Sequence, residues 1–416
     1  MISVRNHRPL LSGNKWLIFA GIALLAYACS PKLRPAPRPE PPAEKPVEQP
    51  IHEKPVVKPP PKAAVIAMLL PFGLDHLNPG QTYSDVSLKQ ATLSLDYYQG
   101  FKLALDSLTA QGYNYKLQLF DSKGTTAASH ALANNPQVRA CDLIVGPVFP
   151  DDIKAFTAVL AGARKPILSP LAPSEPTMFK NQNLITAIPP LDCHAWAAAQ
   201  YIIGSMKPKK IFILKSGFTE DNAYIIPFKK AIDSLGKKHI VVNQLTVVRG
   251  QLDALSSQLS LTGDNVFVIP STNQAFLMVT LRALDSLADI YHITLFGHPS
   301  WEKFTFLKAD LLERLNTHIT VSDKVDYKAA ATLNFLKLYR KTYHVEPSEY
   351  ALKGFDEGLY FGGLLGAGSG DIKNLDKADF TGLHNSFRFT HKPGLGWVNT
   401  HVNVYQYANF ELKPVE

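Results

Sequence analysis

The side chains of this 416-residue chain that could do chemistry are few and far apart. Its 13 histidines are scattered, and His292 and His298 flank an apolar run without a cysteine or carboxylate at ligand spacing. A histidine in that setting is ordinarily a satisfied core or surface residue. The chain contains no G-x-S-x-G, H-E-x-x-H, G-x-x-x-x-G-K-[ST] or C-x-x-C. Gly362, Gly363, Gly366, Gly368 and Gly370 could pass for a phosphate loop, but they follow a helical pattern rather than a strand. Close packing and a helix end account for them better. The sequence therefore predicts no enzyme: no catalytic residue, no metal and no cofactor. Three cysteines remain, Cys29, Cys141 and Cys193. Cys141 opens one strand pattern and Cys193 lies past the far end of the sheet. A six-residue strand spans about 20 Å, too far for a bridge, so Cys141 and Cys193 are expected to be two buried free thiols.

The first 28 residues have the three parts of an export signal. Arg5, Arg8 and Lys15 form a basic start, Trp16 to Ala28 is an uncharged apolar run, and small residues precede Cys29. A run of about 13 residues is short for a membrane span, which needs about 20. The segment Leu25-Ala26-Tyr27-Ala28-Cys29 resembles the lipobox of bacterial lipoproteins, with Ala26 where Leu is commonest. The resemblance implies cleavage before Cys29 and lipidation of its thiol. Acyl chains contribute about 0.8 kcal/mol per buried CH₂, enough for stable anchoring by two or three chains. Ser30-Pro31-Lys32-Leu33-Arg34 carries no acid, which resembles outer-membrane lipoproteins that face the periplasm. Residues 30–62 hold twelve prolines. Proline fixes φ and lacks an N–H, so neither helix nor sheet propagates. An extended tether is expected, with a reach of at most on the order of 100 Å.

Signal and tether also explain the charge. The formal net charge of +8 comes from +3 in residues 1–28 and +3 in the tether, leaving +2 for the rest. With no basic stripe and no interleaved aromatics in residues 63–416, no nucleic-acid partner is expected.

Residues 63–416 alternate strand and helix patterns. Val65 to Leu70 is continuously apolar, as in a strand buried on both faces. Tyr97, Phe101, Leu105 and Leu108 then recur at helical spacing. The theme continues through strand patterns at 116–120, 142–146 and 166–169. It restarts after residue 190, with strand patterns at 211–214, 239–245, 265–270 and 292–297. Alternation of this kind predicts parallel sheets covered by helices, and two rounds predict two similar α/β, Rossmann-like lobes. Two amphipathic helices follow, near 327–343 and 348–366. The segments FRF and HVNVYQY around Lys392-Pro393-Gly394 read as a terminal hairpin.

The pieces AVIAMLLPF (64–72), YYQGFKLALDSL (97–108), LFDSKG (119–124), CDLIVGPV (141–148), PILSPLAPS (166–174), FGHPSW (296–301) and GFDEGLYF (354–361) occur in one order over nearly all of 63–416. In that order they resemble the type I periplasmic binding protein fold, in the branch of branched-chain amino-acid receptors of ABC transporters. The start and the YYQG helix also resemble a group of Bacteroidetes-type lipoproteins, and a related shape occurs in lipoproteins that activate penicillin-binding proteins. The resemblance implies that the lobes exchange segments: lobe one about 63–188 plus 326–370, lobe two about 189–325 plus 371–416. Three crossings near 188–190, 323–328 and 370–385 would form the hinge. The ligand cleft would lie at the carboxyl ends of the strands, where open α/β sheets bind ligands.

The residues expected in that cleft are Phe72, Phe149, Ser169, Lys215, Ser271, Asn273, His298 and Trp301. Aromatics with a few polar groups suit a ligand pocket; Phe72 and Phe149 would equally serve as interlobe core, and Trp301 as a packing residue. The receptors of this branch hold a ligand carboxylate with hydroxyls and backbone N–H groups at a helix N-terminus. Where they have a serine-rich turn, this chain has Val148-Phe149-Pro150-Asp151-Asp152. Pro173 stands at their threonine position, and Lys215-Ser216-Gly217-Phe218 replaces their Tyr-Gly. These departures predict a ligand other than a free α-amino acid, and Lys215 could meet a different anion. Two functions follow. One is a periplasmic solute-binding receptor for a small molecule. The other is an envelope interaction module of the same fold, contacting envelope or cell-wall proteins.

Overall fold

The computed structural model describes residues 62–76, 80, 84–236, 239–367, 375–377 and 379–415. The chain divides into two units, Met1–Pro59 and Pro60–Glu416, and all the described residues belong to the second. The signal, Cys29 and nearly all of the tether lie outside them.

The first lobe begins with β1 (Ala64–Leu70), α1 (Asp85–Thr109), β2 (Tyr115–Asp121), α2 (Thr126–Ala133) and α3 (Pro136–Ala140). It continues with β3 (Leu143–Val145), α4 (Pro150–Val159), β4 (Ile167–Ser169) and β5 (Leu184–Thr186). The second lobe holds α5 (Leu191–Tyr201), β6 (Lys210–Lys215), α6 (Asn222–Leu235), β7 (Val241–Thr246) and β8 (Asn265–Ile269). Then come α7 (Gln274–Ala288), β9 (Ile293–Gly297), α8 (Ala309–Arg314) and β10 (Thr317–Val321). The central strands of both lobes are buried on both faces, because alternate side chains feed different cores. Ile66, Met68 and Leu70 enter one cluster, Ala67 and Leu69 the opposite one. Phe212 and Leu214 are likewise separated from Ile211 and Ile213.

The chain then returns to lobe one with α9 (Ala330–Tyr343) and α10 (Glu349–Gly366). Helix α9 packs Phe335, Leu336 and Tyr339 with Leu103 of α1. Helix α10 approaches α1 closely at its glycines: a Cβ on Gly354 would stand 2.2 Å from the Tyr97 carbonyl oxygen, and one on Gly362 would stand 2.8 Å from Leu105. A Cβ on Gly366 would be 2.4 Å from the Tyr115 hydroxyl. Gly362 and Gly366 are therefore packing residues; Gly368 and Gly370 lie outside the described residues.

The last segment departs from the expected lobe division. A small pair, β11 (Phe380–Thr381) and β12 (Ser386–Phe387), is followed by β13 (Phe389–Lys392), β14 (Gly396–Asn399), β15 (Asn403–Ala408) and β16 (Glu411–Pro414). The first sheet runs β13-β14-β5-β4-β3-β1-β2 and the second β16-β15-β10-β9-β8-β6-β7. Residues 386–399 thus belong to lobe one, and only 403–414 complete lobe two. The third crossing is at 400–402, not near 370–385. The hairpin around Lys392-Pro393-Gly394 exists, but its strands are Phe389–Lys392 and Gly396–Asn399; of FRF only Phe389 joins it, Phe387 pairs with Phe380, and HVNVYQY pairs with β10. The cause is burial. Phe387, Phe389 and Trp397 are buried in lobe one's core, where Tyr360 and Phe361 of α10 pack against Phe387 and Phe389. Strand β14 also covers an edge of β5 that would otherwise stay unpaired. The cysteines are both free, Cys141 in lobe one and Cys193 in lobe two; Cys193 is only half-buried, against the expectation of two buried thiols.

Candidate functional site

All eight expected cleft residues stand at or just beyond the carboxyl ends of their strands. In lobe one, Phe72 follows β1, Phe149 follows β3, and Ser169 ends β4. Asp121 organises the loops there, accepting the Gly73, Leu74 and Lys123 backbone N–H groups at 3.1, 2.8 and 2.9 Å. Phe72 and Phe149 are half-buried and pack on lobe one's core. Ser169 is buried and its hydroxyl has no partner among the described residues.

In lobe two, Lys215 ends β6 and is half-buried. Beside it the Ser216 backbone N–H and hydroxyl both donate to Asp221, each at 2.7 Å. Asn273 caps α7, its Oδ1 accepting the Phe276 N–H at 2.9 Å. Trp301 is 1 % exposed. Its indole N–H donates to the Ser271 carbonyl at 2.9 Å, and its ring lies where a Cβ on Gly297 would be. Trp301, Ser271 and Asn273 therefore shape the ends of β8 and β9. His298 accepts the Ser300 N–H on Nδ1 at 3.1 Å. Burial, with His194 adding, pushes it down to about 4, so it is neutral at physiological pH.

The turn after β3 leads into a helix whose first turn carries two carboxylates. Gly146 has φ +92°, and a Cβ there would stand 2.2 Å from the Leu69 carbonyl oxygen. Pro150 then opens α4, Phe149 provides no side-chain cap, and Asp151 and Asp152 occupy the first turn. Asp151 is exposed, whereas Asp152 is 3 % exposed with Oδ2 unpartnered. Burial, and then Asp151, raise the Asp152 carboxyl to about 6.

A second group of polar side chains lies at the hinge, and the sequence showed no spacing that points to it. Asp323 follows β10, Glu349, Lys353 and Asp356 lie on α10, and His384 and Asn385 precede β12. Asp323 and Asn385 are bridged in antiparallel fashion. Asp356 accepts the Leu383, His384 and Asn385 backbone N–H groups at 2.8, 2.7 and 2.8 Å. Burial still leaves its carboxyl raised to about 6, against the lowering by those three bonds. The Asn399 amide donates to the Ala187 and Ser386 carbonyls at 2.8 and 2.9 Å, joining the first crossing to the third. Tyr97 donates to buried Glu357 at 2.7 Å, and burial holds that carboxyl well above its usual range. The motif GFDEGLYF contains both acids, but only the fold shows what they face.

No family model matches the sequence, and no curated protein does. Solved structures do match over 85 % of this chain. An ABC transporter substrate-binding protein from Desulfitobacterium hafniense in complex with Leu is 16 % identical, covered in full, with TM-score 0.53. A protein from Rhodospirillum rubrum, described as a branched-chain amino acid ABC transporter, is 14 % identical, covered in full, with TM-score 0.60. The C-domain of LpoA from Haemophilus influenzae, described as a regulator of PBP1A, is 12 % identical, covered in full, with TM-score 0.55. Two lobes, each a mostly parallel sheet flanked by helices, define the type I periplasmic binding protein fold, and this chain has it. At such identities the likeness extends to the fold alone. No helix among the described residues is long and apolar enough to cross a membrane.

Proposed function

We propose that the protein is a solute-binding receptor, held on the periplasmic side of the outer membrane by lipid on Cys29, whose ligand is not a free α-amino acid. The observation that carries the ligand statement is the first turn of α4. That turn already carries two carboxylates of the chain itself, Asp151 turned to solvent and Asp152 buried with an unpartnered oxygen. A ligand carboxylate approaching one of them to about 4 Å, at an effective dielectric near 20, loses on the order of 4 kcal/mol. That is roughly a thousandfold in affinity. Calorimetry on purified residues 60–416 with each of the twenty amino acids is expected to show no binding at micromolar concentrations. A micromolar dissociation constant for any of them sinks this reading.

The anchor rests on the sequence before Cys29. Cys29→Ser is expected to move the protein from the membrane to the soluble fraction; unchanged membrane association would remove the anchor from the proposal.

One observation favours the second reading, contact with an envelope protein. An open cavity of about 470 Å³ lies between the start of α1 and the Phe149 and Tyr350 rings, lined also by Val86, Leu88 and Leu93. Val86 and Leu88 are 64 % and 48 % exposed there, an apolar patch of the kind that marks protein contacts. A photo-crosslinking side chain at Leu88 that traps no envelope protein in cells would count against it.

A further inference from the structure

The hinge brings Asp323, Glu349 and His384 together from three separate segments. Asp323 Oδ2, Glu349 Oε2 and His384 Nε2 are arranged so that one ligand atom of each lies within 4.8 Å of the others. His384 Nε2 stands 3.8 Å from the Asp323 oxygen and 3.9 Å from that of Glu349. Carboxylates in proximity are common, and by themselves they mark nothing. The histidine adds the independent observation. Its side chain is 6 % exposed. Its Nδ1 lies 2.8 Å from the Asn385 Oδ1; with the amide in this orientation the oxygen accepts and Nδ1 carries the proton. In that tautomer Nε2 keeps its lone pair, makes no hydrogen bond among the described residues, and faces two carboxylate oxygens. A lone pair facing two carboxylate oxygens is an arrangement that a coordinating cation would satisfy. A partner on one ring nitrogen that fixes the tautomer and leaves the other free is also how metal-binding histidines are held.

One cation is already near. Lys353 Nζ stands 3.4 Å from the same Asp323 oxygen and 3.7 Å from the same Glu349 oxygen. Neither contact has hydrogen-bond geometry, so the ammonium balances the carboxylates by charge without a directed bond. Zinc accepts both nitrogen and carboxylate oxygen at about 2.0–2.2 Å, which places tetrahedral ligands roughly 3.4 Å apart. The two carboxylates need to close on Nε2 by roughly half an ångström to meet that geometry. A cavity of about 350 Å³, lined by Asp323, Lys324, His384 and His401 among others, gives the access.

We propose that Asp323, Glu349 and His384 form a zinc-type divalent cation site at the hinge, with Lys353 as its internal competitor. Asp323 lies on the second crossing, while Glu349 and His384 belong to lobe one's segments. A bound ion would therefore tie the second crossing to the end of α10 and to the strand pair beside it. None of the three ligands is among the expected cleft residues, and zinc binding is read out separately from amino-acid binding.

Zinc binding to the 60–416 unit, which contains both sheets and their cores, can be measured against a chromophoric chelator. One zinc per chain at micromolar free metal or below is expected. His384→Ala and Asp323→Asn should each weaken binding by at least about tenfold. Lys353→Met should tighten it by about the same factor, because the competing charge is gone. The opposite signs separate a metal site from a simple ion-pair network, in which no substitution improves zinc binding. His130→Ala, on the exposed surface, should change nothing and controls for adventitious histidine binding. Where a variant fails to fold, X-ray absorption of the zinc-loaded parent must show nitrogen and carboxylate oxygen ligands. Absence of zinc at micromolar concentration, equal binding by His384→Ala, or weaker binding by Lys353→Met each overturns the proposal.

Discussion

Gly100→Val is expected to unfold the first lobe. A Cβ at this position would stand 1.9 Å from the Ala351 carbonyl oxygen and 2.7 Å from its carbon. The obstacle is backbone of α10, which no side-chain rotation can clear. On the facing helix, a Cβ on Gly358 would meet Ala104 at 2.7 Å and the Phe101 carbonyl oxygen at 2.9 Å. The two helices therefore have to separate along their whole contact. Separation draws Tyr97, Phe101, Leu105 and Leu108 away from Ile66, Met68 and Leu70, the core of the lobe. Overpacking ordinarily costs about 1–3 kcal/mol. Here the neighbour cannot yield, and a loss above about 4 kcal/mol is expected, a large share of a domain's total stability. Gly363→Ala is the contrast: its Cβ would find nothing within 4 Å, and helix propensity favours alanine by up to about 1 kcal/mol. Thermal unfolding of the two variants should place their midpoints on opposite sides of the parent. A Gly100→Val protein melting within a few degrees of the parent would show that α1 and α10 do not pack as described.

Asp356→Ala is expected to cost at least about 3 kcal/mol and to loosen the hinge selectively. The carboxylate is fully buried and accepts three consecutive backbone N–H groups, those of Leu383, His384 and Asn385. Removing it strands three donors, each at about 1–3 kcal/mol when buried without a partner. Gly382 fits the same arrangement, since a Cβ there would be 2.4 Å from the Asp356 carboxyl carbon. Asparagine is a partial replacement: one oxygen accepts, while the amide nitrogen opposes an N–H. Hydrogen exchange at residues 383–385 should accelerate in Asp356→Ala far more than exchange at β1 or β8. Uniform exchange across these segments would mean that Asp356 does not organise the crossing.

Much of the fold was legible because its signals are local. The run Val65 to Leu70 is apolar at every position because β1 is buried on both faces, and alternation with helical spacing at Tyr97, Phe101 and Leu105 leaves parallel sheets as the simple solution. The strand-end residues followed from the same reasoning, so Phe72, Phe149, Ser169, Lys215, Ser271 and His298 could be placed before any contact was known. Their work could not. Trp301 is an aromatic beside the cleft in the sequence, and a core residue bonded to Ser271 in the structure. Asp151 and Asp152 are adjacent acids in the sequence, yet the helix turns one to solvent and buries the other.

The course of the last segment depended on partners far away in the chain. HVNVYQY alternates like any edge strand and could pair with its neighbour GWVN. It pairs with β10 instead, because Phe387, Phe389 and Trp397 hold the preceding strands on lobe one beside Tyr360 and Phe361. Such a choice compares the burial of one strand in two cores, and no local window contains that comparison. The hinge cluster is the same case in polar form. Asp323, Glu349, Lys353 and His384 follow no ligand motif, and each alone reads as an ordinary surface charge. Sequence by itself determined the two α/β lobes and their strand ends, because periodicity and continuous apolar runs act over a few residues. Tertiary structure alone decided which lobe owns residues 386–399 and which charges meet at the hinge, because burial and Coulomb interaction depend on distance in space.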